Sequence, residues 1–359
     1  MAFTEQSHPG PQRVRVVRPV PLDPTGRAGP TRGQARGPSW RQTTYGFYVP
    51  SGVDSDRPEQ RVAEQAMRLP PGGAVTGWAA GLLLGATYLD GLAPDGISRL
   101  PVPLAIGPRG NIRDDERVHL LRDVLPADEV ILVHGIPCVI PERAAFDAMR
   151  TATSPVEAVV AMDMFALGEV TSRRRTGAYV ASVGPRRKGT PRVQTALALS
   201  SEDSWSPNET RMHLVWRLEA GLPPPLLNRP LFDRRGRLLG YPDLLDVDAG
   251  LVGEYDGADH RGASRHSQDV GREDLLRRHG LEVFRVTGPD LRSPGRVRDR
   301  MLEARARARW LPEPERRWTT TPPPGWDPGP TLDQRLDERD LKRASERQWR
   351  EQGPLDIPS

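Results

Sequence analysis

A chain of 359 residues with a formal net charge of +4 and a single cysteine is long enough for two ordinary domains, each with its own core. Cys138, standing alone, excludes an intrachain disulfide and any zinc cluster built on paired cysteines, and it suits a reducing cytosol. The longest apolar runs, such as 130–133 and 158–161, fall far short of a membrane span, and the N-terminus lacks an apolar signal core. The expectation is a cytoplasmic protein with no membrane partner. Its cations are almost all arginine, whose planar fork suits phosphate, so nucleic acid is the expected class of partner. The same bias also arises in a GC-rich genome.

Residues 1–44 carry seven arginines against Glu5 and Asp23, interleaved with Pro and Gly, and show no period. They are expected to form a disordered basic arm. Residues 45–199 have the texture of an ordered α/β domain. Gly46-Phe47-Tyr48-Val49-Pro50 is a short strand closed by proline, and 61–69 has helical spacing. Small residues and Leu alternate in a helix-compatible way over 74–84. Short strands follow at 101–106 and 130–133, then helices over 143–150 and 156–167. The basic, glycine-containing stretch 171–191 reads as a loop or linker before a helix around 193–199. Ser, Asp and Pro collect at 200–207, marking a boundary.

The next domain opens on Ser206-Pro207-Asn208-Glu209, an N-cap Ser, a first-turn Pro and a Glu at the third helical position. The pattern predicts a helix over 207–220, stopped by Gly221-Leu222-Pro223. The runs 231–232, 237–245 and 251–255, separated by turn residues, predict an antiparallel three-strand meander. A turn centred between Asp248 and Ala249 sets Asp243 opposite Glu254, and alternation places Asp256 on the same face as Glu254. Three converging carboxylates repel one another unless a cation is bound. Oxygen-only ligands favour Mg2+ or Mn2+. Such an ion polarises a phosphodiester and generates hydroxide. Downstream, a polar loop holding His260 leads to a helix over 267–279 and a strand over 281–286. A final helix over 297–310 carries Arg298, Arg300, Arg305, Arg307 and Arg309 as a basic surface. Beyond it, 311–359 turns to Pro and Thr and then to a charged stretch with only Leu332, Leu336 and Leu341 as an apolar stripe, expected to be disordered or a solvated single helix.

Glu209 on a helix, Pro242-Asp243 at a strand end, Glu254-Tyr255-Asp256-Gly257, His260, and Asp269-Val270-Gly271-Arg272 opening a helix together resemble the DUF559 family. That family is similar to the very-short-patch repair endonucleases of the PD-(D/E)xK nuclease superfamily, and the match covers residues 204–310. The resemblance implies a restriction-endonuclease-like α/β (α+β) fold and a metal-dependent DNA endonuclease or nickase, acting in repair, mobile-element control or phage defence. Asp243 and Glu254 would hold the metal. Asp256 stands where the superfamily typically keeps a Lys, and the resemblance to repair endonucleases assigns the water-handling role to His260, with Asp256 and Glu209 in support. In the N-terminal half, Gly46 to Pro50, the Ala74-Val75-Thr76-Gly77-Trp78-Ala79-Ala80 stretch with Leu84-Gly85, and Arg143 with Asp147 resemble AbiEi-type antitoxins, which implies a protein partner for that domain. An alternative expectation follows: an inactive nuclease fold serving as a DNA-binding regulator or antitoxin-like partner.

Each residue also has a plainer reading. Glu209 completes a capping box with Ser206, Asp243 and Asp256 cap turns, and Asp269 with Arg272 forms a surface ion pair. No Lys or Arg is expected to share the face of Glu254. The arginine helix reads equally as a solvated face. Trp78, Trp205 and Trp216 read as core or domain-packing residues, and His134 and Cys138 as structural.

Overall fold

In the computed structural model, which describes residues 16–185, 187–257 and 263–352, the chain is a mixed α+β protein that divides into two units. One comprises Met1–Ala161 with Gly168–Gln194, the other Met162–Leu167 with Thr195–Ser359. Among the described residues, no helix is long and apolar enough to cross a membrane.

The first unit begins earlier than composition suggests. Strands β1 (Val20–Pro21), β2 (Trp40–Thr44) and β3 (Phe47–Pro50) form an antiparallel sheet in the order β1-β3-β2. The expected disordered arm is therefore corrected over residues 16–44. Side-chain bonds to backbone order this stretch where apolar periodicity is missing. Gln60 exchanges two bonds with the backbone of Val17, each 3.0 Å long, and the Asp23 carboxylate accepts from the N–H groups of Thr25, Arg27 and Ala28.

Helix α1 (Pro58–Ala66) and β4 (Ala74–Val75) follow, so the helical pattern expected from residue 74 yields two residues to a strand before α2 (Gly77–Leu84) starts. With β5 (Val102–Ala105), β6 (Val118–Leu121), β7 (Val130–Val133) and β8 (Ile136–Val139), β4 builds a mixed five-stranded sheet ordered β6-β5-β4-β8-β7. Helices α3 (Pro141–Thr151), α4 (Pro155–Leu167), α5 (Arg173–Val183) and α6 (Thr190–Leu199) come next. Helix α5 replaces the loop expected over 171–191. Ser172 Oγ caps it by accepting the Arg175 N–H at 3.1 Å, and Thr176 and Val180, one turn apart, are buried beneath its basic surface. Cys138 is buried, and its thiol is pushed up to about 12 by that burial, so it is not a nucleophile at neutral pH.

In the second unit, α7 (Pro207–Leu214) starts as its cap predicts, with Ser206 Oγ accepting the Glu209 N–H at 3.2 Å, and continues through a wider π turn over Val215–Glu219. The strands that follow do not form one meander. β9 (Leu231–Asp233) and β10 (Leu238–Gly240) pair with each other and with a late strand, while β11 (Leu244–Asp246) and β12 (Leu251–Asp256) belong to a second sheet. The break lies at Gly240-Tyr241-Pro242. Gly240 has φ +148°, and Pro242 has no N–H to give a ladder.

Helix α8 (Ala263–Arg278) carries the chain across to β13 (Glu282–Thr287), which lies parallel to β12, giving the order β11-β12-β13. Short α9 (Gly288–Leu291) and α10 (Pro294–Arg307) follow. For 311–359 the sequence leaves disorder or a single charged helix open. The charged stretch forms helix α11 (Leu332–Gln352), with Leu332 and Leu336 buried, and the stretch before it supplies an unexpected strand, β14 (Trp318–Thr319), paired antiparallel to β9.

The three-stranded sheet β11-β12-β13 is buried on both faces. Leu244, Leu251, Phe284 and Val286 meet Met212 and Trp216 of the first helix and Val297 and Met301 of α10. Leu245, Val252 and Val283 meet Leu276 of α8 together with Trp318. Alternation along β12 therefore puts Glu254 on the same face as Val252, towards α8. At Gly253 the two sheet residues meet most closely. A Cβ there would stand 2.5 Å from Phe284 Cζ, and that ring is stacked on Trp216 with centroids 6.3 Å apart. Gly253→Ala is expected to cost about 1 to 3 kcal/mol through overpacking, read as a lower urea midpoint at unchanged slope. An unchanged midpoint would show that the sheet can yield at this point.

Candidate functional site

The register of β11 against β12 is the one the turn at Asp248 and Ala249 predicts, with Leu244 opposite Gly253 and Leu245 opposite Val252. Continued by one residue it would place Asp243 opposite Glu254, but the ladder stops at Leu244. Asp243 sits just outside the strand and its side chain takes the place of the next backbone rung. The Tyr255 N–H donates to Asp243 Oδ2 at 2.7 Å.

Asp243 is half-buried by exposed surface, yet protein surrounds its carboxyl group closely. Burial first, then the negative charges of Glu254 and Glu209, push its pKa well above the usual carboxylate value. The Tyr255 N–H and the positive charge of Arg272 offset this in part. The structure thus brings Asp243, Glu254 and Glu209 into mutual electrostatic range.

Glu209 is half-buried too. Its Oε2 accepts from the Trp205 N–H at 2.9 Å and from Asn228 Nδ2 at 2.8 Å, so the capping box is closed one residue earlier than the expected Ser206 N–H. Burial raises its pKa, against the lowering effect of these hydrogen bonds. Asn228 is the brace of the site. In a left-handed conformation, φ +48°, it donates its N–H to the Pro242 carbonyl at 3.0 Å and its Nδ2 also to the Asp203 carbonyl at 2.8 Å. It thereby fixes the residue before Asp243 and the carboxylate of Glu209 together.

The absence of a cation near Glu254, expected from the sequence, is corrected. Arg272 on α8 places Nη2 3.3 Å from Glu254 Oε1 and donates to the Tyr241 carbonyl at 2.7 Å. Gly240 makes the room, because a Cβ at that position would lie 3.2 Å from Arg272 Nε. Arg272 is therefore part of the carboxylate site. It is held by residues flanking the strand break, while the side chain of Asp269, read from the sequence as its surface partner, lies outside the described residues. Tyr255, on the opposite face of β12, is held by Asn208 Nδ2 donating to its hydroxyl at 2.6 Å.

Asp256 is exposed at the end of β12 and makes no hydrogen bond or ion pair among the described residues. His260 lies outside the described residues. Among those described, no group of three or more His, Cys, Asp or Glu side chains is gathered to hold one metal ion. The basic surface expected on α10 is also corrected, since most of its arginines are neutralised. Arg298 pairs with Asp299 at 2.7 Å, Arg300 with Asp290 at 3.0 Å, Arg305 with Asp246 at 2.8 Å and Arg307 with Glu282 at 3.1 Å. Surface pairs of this kind contribute little to stability, but they lower the net field offered to phosphate.

Comparisons with protein-family models, with curated proteins and with solved structures give no match for this chain.

A buried carboxylate beside two others is a native-state liability that an isosteric amide removes. Asp243→Asn keeps the acceptor for Tyr255 and is expected to stabilise the metal-free protein by about 1 to 2 kcal/mol at neutral pH. The sign with pH is fixed by the raised pKa. Below it the folded protein holds a proton on Asp243, so the penalty fades as pH falls through the raised value towards the ordinary 3.8. The gap between variant and wild type should therefore narrow in acid. His213, whose buried imidazole is pushed down to about 4, destabilises both proteins equally in that range and cancels in the difference. Chemical denaturation of both proteins across pH reads the gap, and a gap that widens in acid would contradict the assignment.

Proposed function

We propose that the second unit is a divalent-cation-dependent nuclease that hydrolyses DNA phosphodiester bonds at Asp243 and Glu254. The observation that carries this reading is the placement of the Asp243 carboxyl, held by the Tyr255 N–H and raised in pKa first by burial and then by the charges of Glu254 and Glu209. The order of Glu209, Pro242-Asp243, Glu254-x-Asp256-Gly257 and the α8 arginine supports it as well, through the resemblance to the DUF559 and repair-endonuclease families.

The donor set fits a hard cation. Two carboxylates, with the remaining positions left to water and phosphate oxygens, match how Mg2+ or Mn2+ binds at phosphoryl sites, so the lack of a third gathered ligand among the described residues is compatible with this chemistry. Asp243 and Glu254 would hold such an ion, which would supply positive charge for the phosphoryl oxygens and lower the pKa of water. The chain's own residues do the rest. Tyr255 N–H orients Asp243, and Asn228 with Glu209 fixes the segment that carries it. Arg272 places a fixed positive charge against Glu254, where it would stabilise negative charge developing on a phosphate held at the site. Asp256, the last residue of β12, and His260, which lies outside the described residues, are assigned to handling the attacking water.

The same Arg272 favours a second reading. A guanidinium already seated at Glu254 serves an inert fold as an internal counter-ion, and the protein would then be a DNA-binding regulator or antitoxin-like partner.

Incubation of the purified chain with supercoiled plasmid in Mg2+ or Mn2+ separates the two. The nuclease reading predicts nicked or linear product, with Asp243→Ala and Glu254→Ala slower on the order of 10²-fold or more, and no product in EDTA. Plasmid left intact by wild type with both metals, or cut equally by both variants, would favour the inert fold.

A further inference from the structure

The first unit contains a cavity of about 460 Å3 between the tip of the β2–β3 hairpin, the end of α1 and the loop before β6. Two kinds of wall meet there. One is cationic, with Arg68, Arg113 and Arg117 against the single carboxylate of Asp115. Asp115 is fully engaged. It accepts from Arg68 Nη1 at 3.0 Å and from Arg117 Nη2 at 2.8 Å and Nε at 3.4 Å, which fixes both guanidinium groups in place. Arg68 and Arg117 are also anchored to the carbonyls of Arg113 and Thr43. The exposed Arg113 guanidinium makes no hydrogen bond or ion pair among the described residues.

The second wall is apolar and aromatic. Met67 and Ile112 line the cavity, and Tyr45 at the hairpin tip is 97% exposed, a placement that burial does not explain.

We propose that this cavity is a binding site for a nucleotide unit, with its phosphate against Arg113 and the fixed Arg117 and its base stacked on Tyr45. Three guanidinium groups face one carboxylate among the lining side chains, and arginine forks suit phosphate geometry. An exposed aromatic beside them calls for a planar partner, and base–aromatic stacking meets that need without sequence preference. The site stands on the first unit alone and does not depend on the second unit cutting DNA. The nucleotide unit can come free or as part of a single strand, since both offer the same chemistry.

Calorimetric titration of the full chain in EDTA, where no metal-dependent cleavage consumes the probe, tests this. The probes are thymidine 5′-monophosphate, a short 5′-phosphorylated oligothymidylate, thymidine and inorganic phosphate. The expected result is that the monophosphate or the oligomer binds about tenfold or more tightly than thymidine or phosphate, because both walls contribute. Equal affinity of the two would mean a free nucleotide suffices, and a much tighter oligomer would point to a strand. Tyr45→Ala and Arg113→Gln, both at exposed positions that folding does not need, should each weaken binding by about tenfold. Nucleotide probes that bind no more tightly than phosphate and thymidine, or that bind the Tyr45 and Arg113 variants as well as wild type, overturn the proposal.

Discussion

The hydrogen bond from the Tyr255 N–H to Asp243 Oδ2 joins two pieces of backbone that no ladder connects. Where the strand pairing of β11 and β12 ends at Leu244, a side chain takes over as acceptor and holds the chain at the break. The residues before it, Gly240-Tyr241-Pro242, can then turn away into a second sheet. That turn opens the space in which Arg272 reaches Glu254 and the Tyr241 carbonyl. A backbone rung in place of Asp243 would have continued the strand and closed the site.

The arrangement trades stability for placement. Burial, and then the charges of Glu254 and Glu209, raise the Asp243 pKa, and the protein tolerates this because the surroundings are over-determined. Asn228 binds the Pro242 carbonyl and Glu209 at once, Ser206 and Glu209 fix the start of α7, and Trp216 stacks on Phe284 beneath β12. Arg272 offsets part of the negative charge. In the nuclease reading it shares that task with a divalent cation, and in the inert reading it performs it alone.

Much of this was legible in the sequence, and for identifiable reasons. Ser206-Pro207 announces a helix because caps are local chemistry, and Asp248-Ala249-Gly250 fixes the β11–β12 register because turn geometry determines which residues face one another. What depends on distant segments was hidden. The run 237–245 reads as one strand because its apolar residues continue past Pro242, yet its two halves join different sheets. Arg272 reaches Glu254 from a helix that returns over the sheet, which alternation along a single strand does not reveal. Trp318 completes the β9 sheet from within a Pro- and Thr-rich stretch, and the carboxylates that cover the α10 arginines come from Asp246, Glu282 and Asp290 as well as from Asp299 beside them. Helix α5 was masked by its own basic exterior, since only Thr176 and Val180 mark the inner face.

The central claim is that Asp243 and Glu254 form a site whose charge is built to be met by a divalent cation. Electron paramagnetic resonance of Mn2+ titrated into the full chain measures this without any substrate. The account predicts a bound Mn2+ whose affinity falls by about tenfold or more in Asp243→Asn, with Mg2+ competing for the same site. A titration in which wild type and Asp243→Asn bind Mn2+ alike, or in which neither binds it, would contradict the account and leave Arg272 as the only counter-charge the site needs.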